Sequence, residues 1–236
     1  MSNQALAYRS RLGGLAQILF PQQCFACGAP SGSAVLCSDC WQVLPGREQL
    51  RCPVCGISHP AGGVCGACLS HPPSFDRTRA VLDYDFPLDR LVQALKYGHR
   101  LSVSRLFVEL LAAHVTPEAD LVVPMPLHVS RLRTRGFNQA AELARPLARH
   151  WGLPLMLDGV VRDVDTLPQA GLPWKARAAN VRGAFRVTGS MKGLRVVVVD
   201  DVMTTGATLA ELARSLKGAG AVSVENRVLA RTPRPG

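Results

Sequence analysis

The stretch Val196-Val-Val-Val-Asp200-Asp201-Val-Met-Thr204-Thr205-Gly206-Ala-Thr208-Leu209 governs how the rest of the chain is read. Four β-branched residues in succession predict a strand buried on both faces, as a parallel sheet requires. Asp200 and Asp201 stand where that strand is expected to end, and small hydroxylic residues with one glycine follow. Leu209, Leu212, Ala213 and Leu216 then fall at helical spacing, which predicts a helix with Gly218 at its C-cap. Backbone N–H groups entering a helix, together with threonine hydroxyls, make a seat for phosphate. Two carboxylates one step earlier can accept hydrogen bonds from neighbouring hydroxyls. The expected ligand therefore joins a phosphate to a vicinal diol, as a ribose 5-phosphate does. A valine-rich strand ending in Asp-Asp also occurs in P-loop ATPases, but the chain contains no Gly-Lys-Ser/Thr. A receiver domain would carry its acidic pair near the start of the domain, without Thr-Thr-Gly behind it.

The chain has 236 residues and a net charge of +10, unevenly placed. Residues 1–75 hold 4 Lys/Arg against 2 acids, and residues 76–236 hold 23 against 15. Lys175 to Arg195 contributes 6 basic residues and no acid, which suits a polyanionic partner. No apolar run is long enough to span a membrane. Arg9 to Phe20 lacks a small-x-small cleavage site, and Leu12, Leu15, Ala16 and Leu19 space as one face of a short helix. Residues 1–20 are thus expected to be an amphipathic segment of a cytoplasmic protein, where thiols stay reduced.

All 8 cysteines fall in C-x-x-C pairs: Cys24 and Cys27, Cys37 and Cys40, Cys52 and Cys55, Cys65 and Cys68. Each pair lets two thiolates grip one ion from a tight turn, and four thiolates suit structural zinc with no open position. Two zinc ions are expected. The repeated gap between pairs suggests two ribbons in series, with sequential or interleaved ligand sharing both open. A disulfide scaffold, a redox C-x-x-C and an iron–sulfur cluster are the lesser readings. His59 and His71 are expected at the surface. The boundaries drawn are a double zinc ribbon at 21–71, a linker at 72–80 containing Pro72-Pro73, and one domain at 81–232.

In that domain Arg79 to Tyr84 predicts an edge strand, and Leu88, Leu91, Val92 and Leu95 a helix ending at Lys96-Tyr97-Gly98. A second helix is expected over Ser102 to His114. Leu121-Val-Val-Pro124-Met125-Pro126 predicts a short buried strand that stops at proline. Alternation of strands and helices points to a three-layer α/β sheet with its ligand site at the carboxyl ends of the strands. Both Pro124–Pro126 and Asp200–Asp201 would sit there. Arg131, Arg133 and Arg135 read as an extended basic loop, which is costly without an anion. Asn138 is the expected N-cap of a helix from Gln139 to Trp151. Arg162 to Gln169 and Lys175 to Phe185 read as a mobile cover loop, and Val222 to Leu229 as the last strand.

The valine strand, Asp-Asp and Thr-Thr-Gly-x-Thr resemble the phosphoribosyl-pyrophosphate (PRPP) motif of the type I phosphoribosyltransferases. With Arg135-Gly-Phe-Asn-Gln139, Thr166-x-x-Gln169, Asn180-Val-Arg-Gly-Ala-Phe185 and the double ribbon, the chain from Phe20 to Thr232 resembles the ComF family. Its members include competence proteins for DNA uptake and the related GntX proteins. One departure is Ala176, where an acidic residue is expected before Arg177. The resemblance implies a type I phosphoribosyltransferase-like domain with a parallel central sheet behind a small zinc-ribbon module. It implies that Asp200 and Asp201 hold ribose hydroxyls and that Thr204, Thr205, Gly206, Ala207 and Thr208 cradle the 5-phosphate, with Mg²⁺ accompanying PRPP. Pro124, Met125, Pro126 and the arginines 131, 133 and 135 become candidates for meeting the pyrophosphate, with Lys96 a weaker one. The implied role is cytoplasmic handling of single-stranded DNA with DNA-uptake or replication-restart proteins. Two other readings stay open: a non-catalytic module binding single-stranded DNA or partners, and a scaffold with a vestigial pocket.

Overall fold

The computed structural model describes residues 22–47, 49–98, 101–165 and 181–233. The segment at 1–20 and the cover-loop residues Thr166, Gln169, Lys175, Ala176, Arg177 and Asn180 lie outside the described residues. Two compact units divide between Val43 and Leu44.

In the first unit, β1 (Gln22–Gln23) pairs antiparallel with β2 (Pro30–Gly32), and α1 (Ser38–Gln42) follows. Cys24 N–H donates to Ala29 O at 2.7 Å and Gly28 N–H to Cys24 O at 2.9 Å, with Gly28 at φ 76°. The same turn recurs in the second unit. There Cys52 N–H donates to Ile57 O and Gly56 N–H to Cys52 O, both at 2.9 Å, with Gly56 at φ 68°. A glycine is needed at both places because the turn demands the left-handed region. The matched bonds are the physical form of the repeat seen in the cysteine spacing. After the second turn comes α2 (Gly66–Ser70).

The rest of the second unit is a four-stranded sheet, every neighbouring pair parallel, in the order β3 (Arg77–Asp83), β8 (Ser223–Arg231), β7 (Arg195–Met203), β4 (Leu121–Pro124). Between β3 and β4 run α3 (Leu88–Gly98) and α4 (Leu101–Ala112). Between β4 and β7 run α5 (Val129–Arg135), α6 (Gln139–Trp151) and a small antiparallel pair, β5 (Val160–Arg162) and β6 (Phe185–Val187). The helix α7 (Ala207–Gly218) joins β7 to β8. Val196 to Val199 are all at most 1 % exposed, so β7 is covered on both faces as four valines in a row require. Val196 and Val198 share one core with Leu209, Leu212 and Leu216 of α7 and with the four cysteines from Cys52 to Cys68.

That shared core departs from the expected module boundaries. The second ribbon belongs to the compact unit of the sheet, and β3 begins at Arg77, inside the stretch read as a linker. Arg51 ties the two together, its Nη1 at 2.8 Å from Asp83 Oδ1 and 3.1 Å from Gly56 O. Two local expectations are also corrected. Gly218 is the last residue of α7, and Ala219 is its C-cap. Arg131, Arg133 and Arg135 lie on a helix, not an extended loop. Its N-cap is His128, which accepts from Ser130 N–H, and Gly136 closes it at φ 80°.

Candidate functional site

The two carboxylates lie inside β7, which continues through them to Met203. Successive strand side chains point to opposite faces, so Asp200 and Asp201 reach different surroundings from one backbone step. Both are buried, at 9 % and 3 % exposure. Asp201 Oδ2 forms an ion pair with Lys96 Nζ of α3 at 2.8 Å. Asp200 Oδ1 accepts from Asp201 N–H at 2.9 Å. Burial, and then the negative charge of Asp201, push the Asp200 carboxyl well above its ordinary range. Burial acts against ionisation of Asp201 too, but the Lys96 ammonium outweighs it and holds that carboxyl below its usual value. Burial would pull Lys96 down, and Asp201 reverses that and raises it.

This asymmetry has a thermodynamic sign. Asp200 is raised in the folded chain, so the unfolded chain loses that proton first as pH rises. Stability then falls from the unfolded carboxylate pKa up to the folded one, and stays reduced above it. We expect Asp200→Asn to raise the melting temperature at neutral pH, the gain vanishing below the ordinary carboxylate range. Asp201→Asn should instead cost on the order of 2 kcal/mol, because Lys96 is left without its partner. Thermal melts of both variants between acid and neutral pH check this.

Beyond the acids, Gly206 takes φ 84° as the N-cap of α7, and Ala210 N–H donates back to Gly206 O at 2.8 Å. Thr205 Oγ1 accepts from Ala207 N–H at 3.2 Å. A helix leaves its first N–H groups without intrahelical partners, so the N-terminal turn of α7 favours an anion. The loop rests on Phe75 and Met203: a Cβ built on Gly206 would meet Met203 Cε at 2.5 Å. Glycine is favoured there by its φ, and any Cβ would also make Met203 Cε give way.

The proline turn stands beside the acids. Pro124 is in register with Val199, and Met125 N–H donates to Val199 O at 2.9 Å, one residue before Asp200. Asn138 fixes the turn to α6: its Nδ2 donates to Met125 O at 3.0 Å while its Oδ1 accepts from Ala140 N–H and Ala141 N–H. Pro126 follows, half-buried.

The helix of the three arginines turns Arg133 away from Arg131 and Arg135, which lie four apart on one face. Arg131 lies 3.7 Å from Asp165, and Arg135 donates to Gln139 Oε1 at 2.6 Å, whereas Arg133 is exposed. Ser130 Oγ, bonded to Asp165 at 2.6 Å, holds that carboxyl low, aided by His128 and Arg131. Two further arginines are not read as site residues in the sequence, and the ends of the expected cover loop, Arg162 and Phe185, lie in the strands β5 and β6. Arg162 of β5 is 6 % exposed, with its guanidinium 5.6 Å over the Phe185 ring. Burial and then Arg131 lower its pKa, while the charges of Asp200 and Asp165 act the other way. Arg231, 2 % exposed, donates from Nε to Cys55 O at 2.9 Å and from Nη1 to Met203 O at 3.1 Å, to Thr204 O and to Thr232 O. One side chain thus joins the second cysteine turn to the first residues of the phosphate-type loop. An arginine at the end of a valine- and leucine-rich strand is the sequence signal for it, since a buried guanidinium demands acceptors.

The cysteines form two tetrads, Cys24, Cys27, Cys37 and Cys40, and Cys52, Cys55, Cys65 and Cys68, with the sulfurs of each within 4.8 Å of one another. The sequential sharing is the one adopted. A zinc–sulfur bond of about 2.3 Å sets tetrahedral sulfur–sulfur edges at about 3.8 Å. The separations of Cys27 Sγ from Cys37 Sγ and of Cys55 Sγ from Cys65 Sγ are both 3.7 Å, so the donor sets fit structural zinc.

A family model for the double zinc ribbon domain matches residues 15–69, and one for the phosphoribosyl transferase domain matches residues 132–235. The DNA utilization protein YhgH of Salmonella typhi is 36 % identical over 225 residues, covering 90 % of this chain and 98 % of that protein. Competence protein F of Haemophilus influenzae is 32 % identical over 209 residues, covering 83 % and 90 %. The chain belongs to the ComF family. Competence protein ComFC of Bacillus subtilis is a more distant ComF relative, 27 % identical over 208 residues and covering 84 % of each chain. In ComF terms the second unit is the type I phosphoribosyltransferase-like domain, its parallel sheet carrying the second ribbon in the same core. Among the described residues no helix is long and apolar enough to cross a membrane.

Proposed function

We propose that this ComF-family chain binds PRPP, or another ligand with a ribose 5-phosphate group, between Asp200–Asp201 and the loop Thr204–Thr208. The observation that carries the reading is the pair of buried carboxylates one turn ahead of a left-handed Gly206 that opens α7. In this arrangement the carboxylates accept from the ribose 2- and 3-hydroxyls, while the loop N–H groups and threonine hydroxyls donate to the 5-phosphate. Hard carboxylate oxygens beside a pyrophosphate suit Mg²⁺, which when bound supplies positive charge to the leaving oxygens. For phosphoribosyl transfer, the bond from ribose C1 to pyrophosphate breaks as an acceptor nucleophile bonds C1. The chain's part is to hold the sugar and to stabilise the departing charge from the Pro124–Pro126 turn, with Arg131, Arg133 and Arg135 as the candidate cations.

Calorimetric titration of zinc-loaded protein with PRPP and Mg²⁺ tests the proposal. Micromolar binding is expected, with loss of at least about 100-fold in Asp200→Ala/Asp201→Ala, given about 1.5–3 kcal/mol for each hydrogen bond to a charged group. Absence of binding by the intact protein refutes it.

The names of the YhgH and competence relatives support a second element of the proposal, that the chain acts in the handling of DNA in the cytoplasm. Single-stranded DNA binding that falls steeply with salt is its test. An intact protein with no salt-dependent binding would count against it.

A further inference from the structure

A second cationic cavity, of about 460 Å³, wraps the outer edge of β3, where the second ribbon meets the sheet. Arg47, Arg51, Arg77, Arg79 and His114 line it. The parallel register sets Arg79 of β3 directly against Arg227 of β8, and Arg77 against Glu225. Like charges directly opposite on neighbouring strands are unfavourable. Glu225 is the acid between them, 2.7 Å from Arg227 Nε and 3.8 Å from Arg79 Nε. Asp83 is engaged by Arg51 at 2.8 Å. Arg77 has no ion pair among the described residues.

Three guanidinium groups therefore share one carboxylate on this ledge. Arg227 is 2 % exposed, and its Nη1 is buried without a hydrogen-bond partner. Burial and the neighbouring Arg79 and Arg77 lower its pKa against the pull of Glu225. Loss of solvent around the ring, and then Arg227, Arg79 and Arg51, likewise hold His114 below its ordinary value. A bound anion would relieve all of these costs together. The ledge is distinct from the ribose-phosphate site: Arg79 and Val199 lie on strands two apart, roughly 10 Å across the sheet by strand spacing.

We infer that this cavity is a second anion site, where the lining residues Arg77 and Arg79 take one phosphate group between them, with the buried Arg227 adding its charge from behind Arg79. The group comes either from a small polyphosphate or from the phosphodiester backbone of a nucleic-acid strand, and two probes separate these sources. Zinc-loaded full-length protein is titrated with inorganic pyrophosphate and with a fluorescent oligothymidylate, neither of which carries the vicinal diol that Asp200 and Asp201 are proposed to hold. The same titrations are repeated with Arg77→Gln/Arg79→Gln added. A loss of about tenfold or more for pyrophosphate assigns a small polyphosphate. A loss for the oligonucleotide, with its logarithmic salt slope reduced by about 2, assigns a phosphodiester strand. The double variant should melt no lower than its parent when no anion is present, since it removes repulsion, so weak binding cannot be mistaken for misfolding. Affinities for both probes unchanged by the double variant, or no binding of either probe by the parent, would overturn the assignment.

Discussion

Arg231→Ala should destabilise the second unit by on the order of 4 kcal/mol and weaken PRPP binding, although Arg231 is no part of the expected sugar or phosphate contacts. The guanidinium supplies donors to the carbonyls of Cys55, Met203, Thr204 and Thr232. Each buried acceptor left without a donor costs about 1–3 kcal/mol, and water recovers only the outer ones. The loss also frees both ends of one link: the second cysteine turn on one side, and the start of the Thr204–Thr208 loop on the other. Arg231→Lys should recover only part of the stability, because one ammonium cannot span acceptors that a planar fork reaches from two nitrogens. Urea unfolding of the two variants, followed by PRPP titration of whatever remains folded, decides the matter. A change within about 1 kcal/mol for alanine would show that the link is incidental.

How much of this was legible follows from what local patterns encode. The four valines of β7, the i, i+3, i+4, i+7 spacing of α7 and the Asn138 cap of α6 are local statements, and the structure carries each of them. Family membership was legible for the same reason, since C-x-x-C pairs and Asp-Asp-x-x-Thr-Thr-Gly are short and dense. The stretch from Val129 to Arg135 misled because alternate arginines mimic the period of an extended chain. The better signal lay at its ends, where His128 and Gly136 serve as caps. Partnerships across the sheet were not legible at all. That Lys96 meets Asp201, that Arg79 faces Arg227, and that Arg231 reaches Cys55 depend on register between strands and helices far apart in sequence. The position of the second ribbon was hidden for a similar reason: two tetrads of identical spacing differ only in what surrounds them.

That difference sets the other large effect. Cys52→Ser/Cys55→Ser should abolish cooperative unfolding of the second unit and its PRPP binding, whereas Cys24→Ser/Cys27→Ser should leave both nearly intact. Each double variant should retain one zinc ion of two by metal analysis. Cys52, Cys55, Cys65 and Cys68 are all buried, and they share a core with Phe75, Met203, Leu209 and Val228. The first tetrad has Cys24 buried and Cys27 exposed, in a unit of its own. Structural zinc in small ribbons contributes about 10–16 kcal/mol of apparent binding energy at neutral pH, so losing an ion removes the order of the turns it closes. For the second tetrad those turns also hold Pro53 O, which accepts from Thr78 N–H of β3 at 3.0 Å, and Cys55 O, which accepts from Arg231. Loss of this zinc therefore reaches the edge strand and the phosphate-type loop through two named bonds. Chelation should show the same hierarchy, with PRPP affinity tracking the buried ion and indifferent to the other. Equal sensitivity to both tetrads would mean that the second ribbon's place in the core does not control the loop.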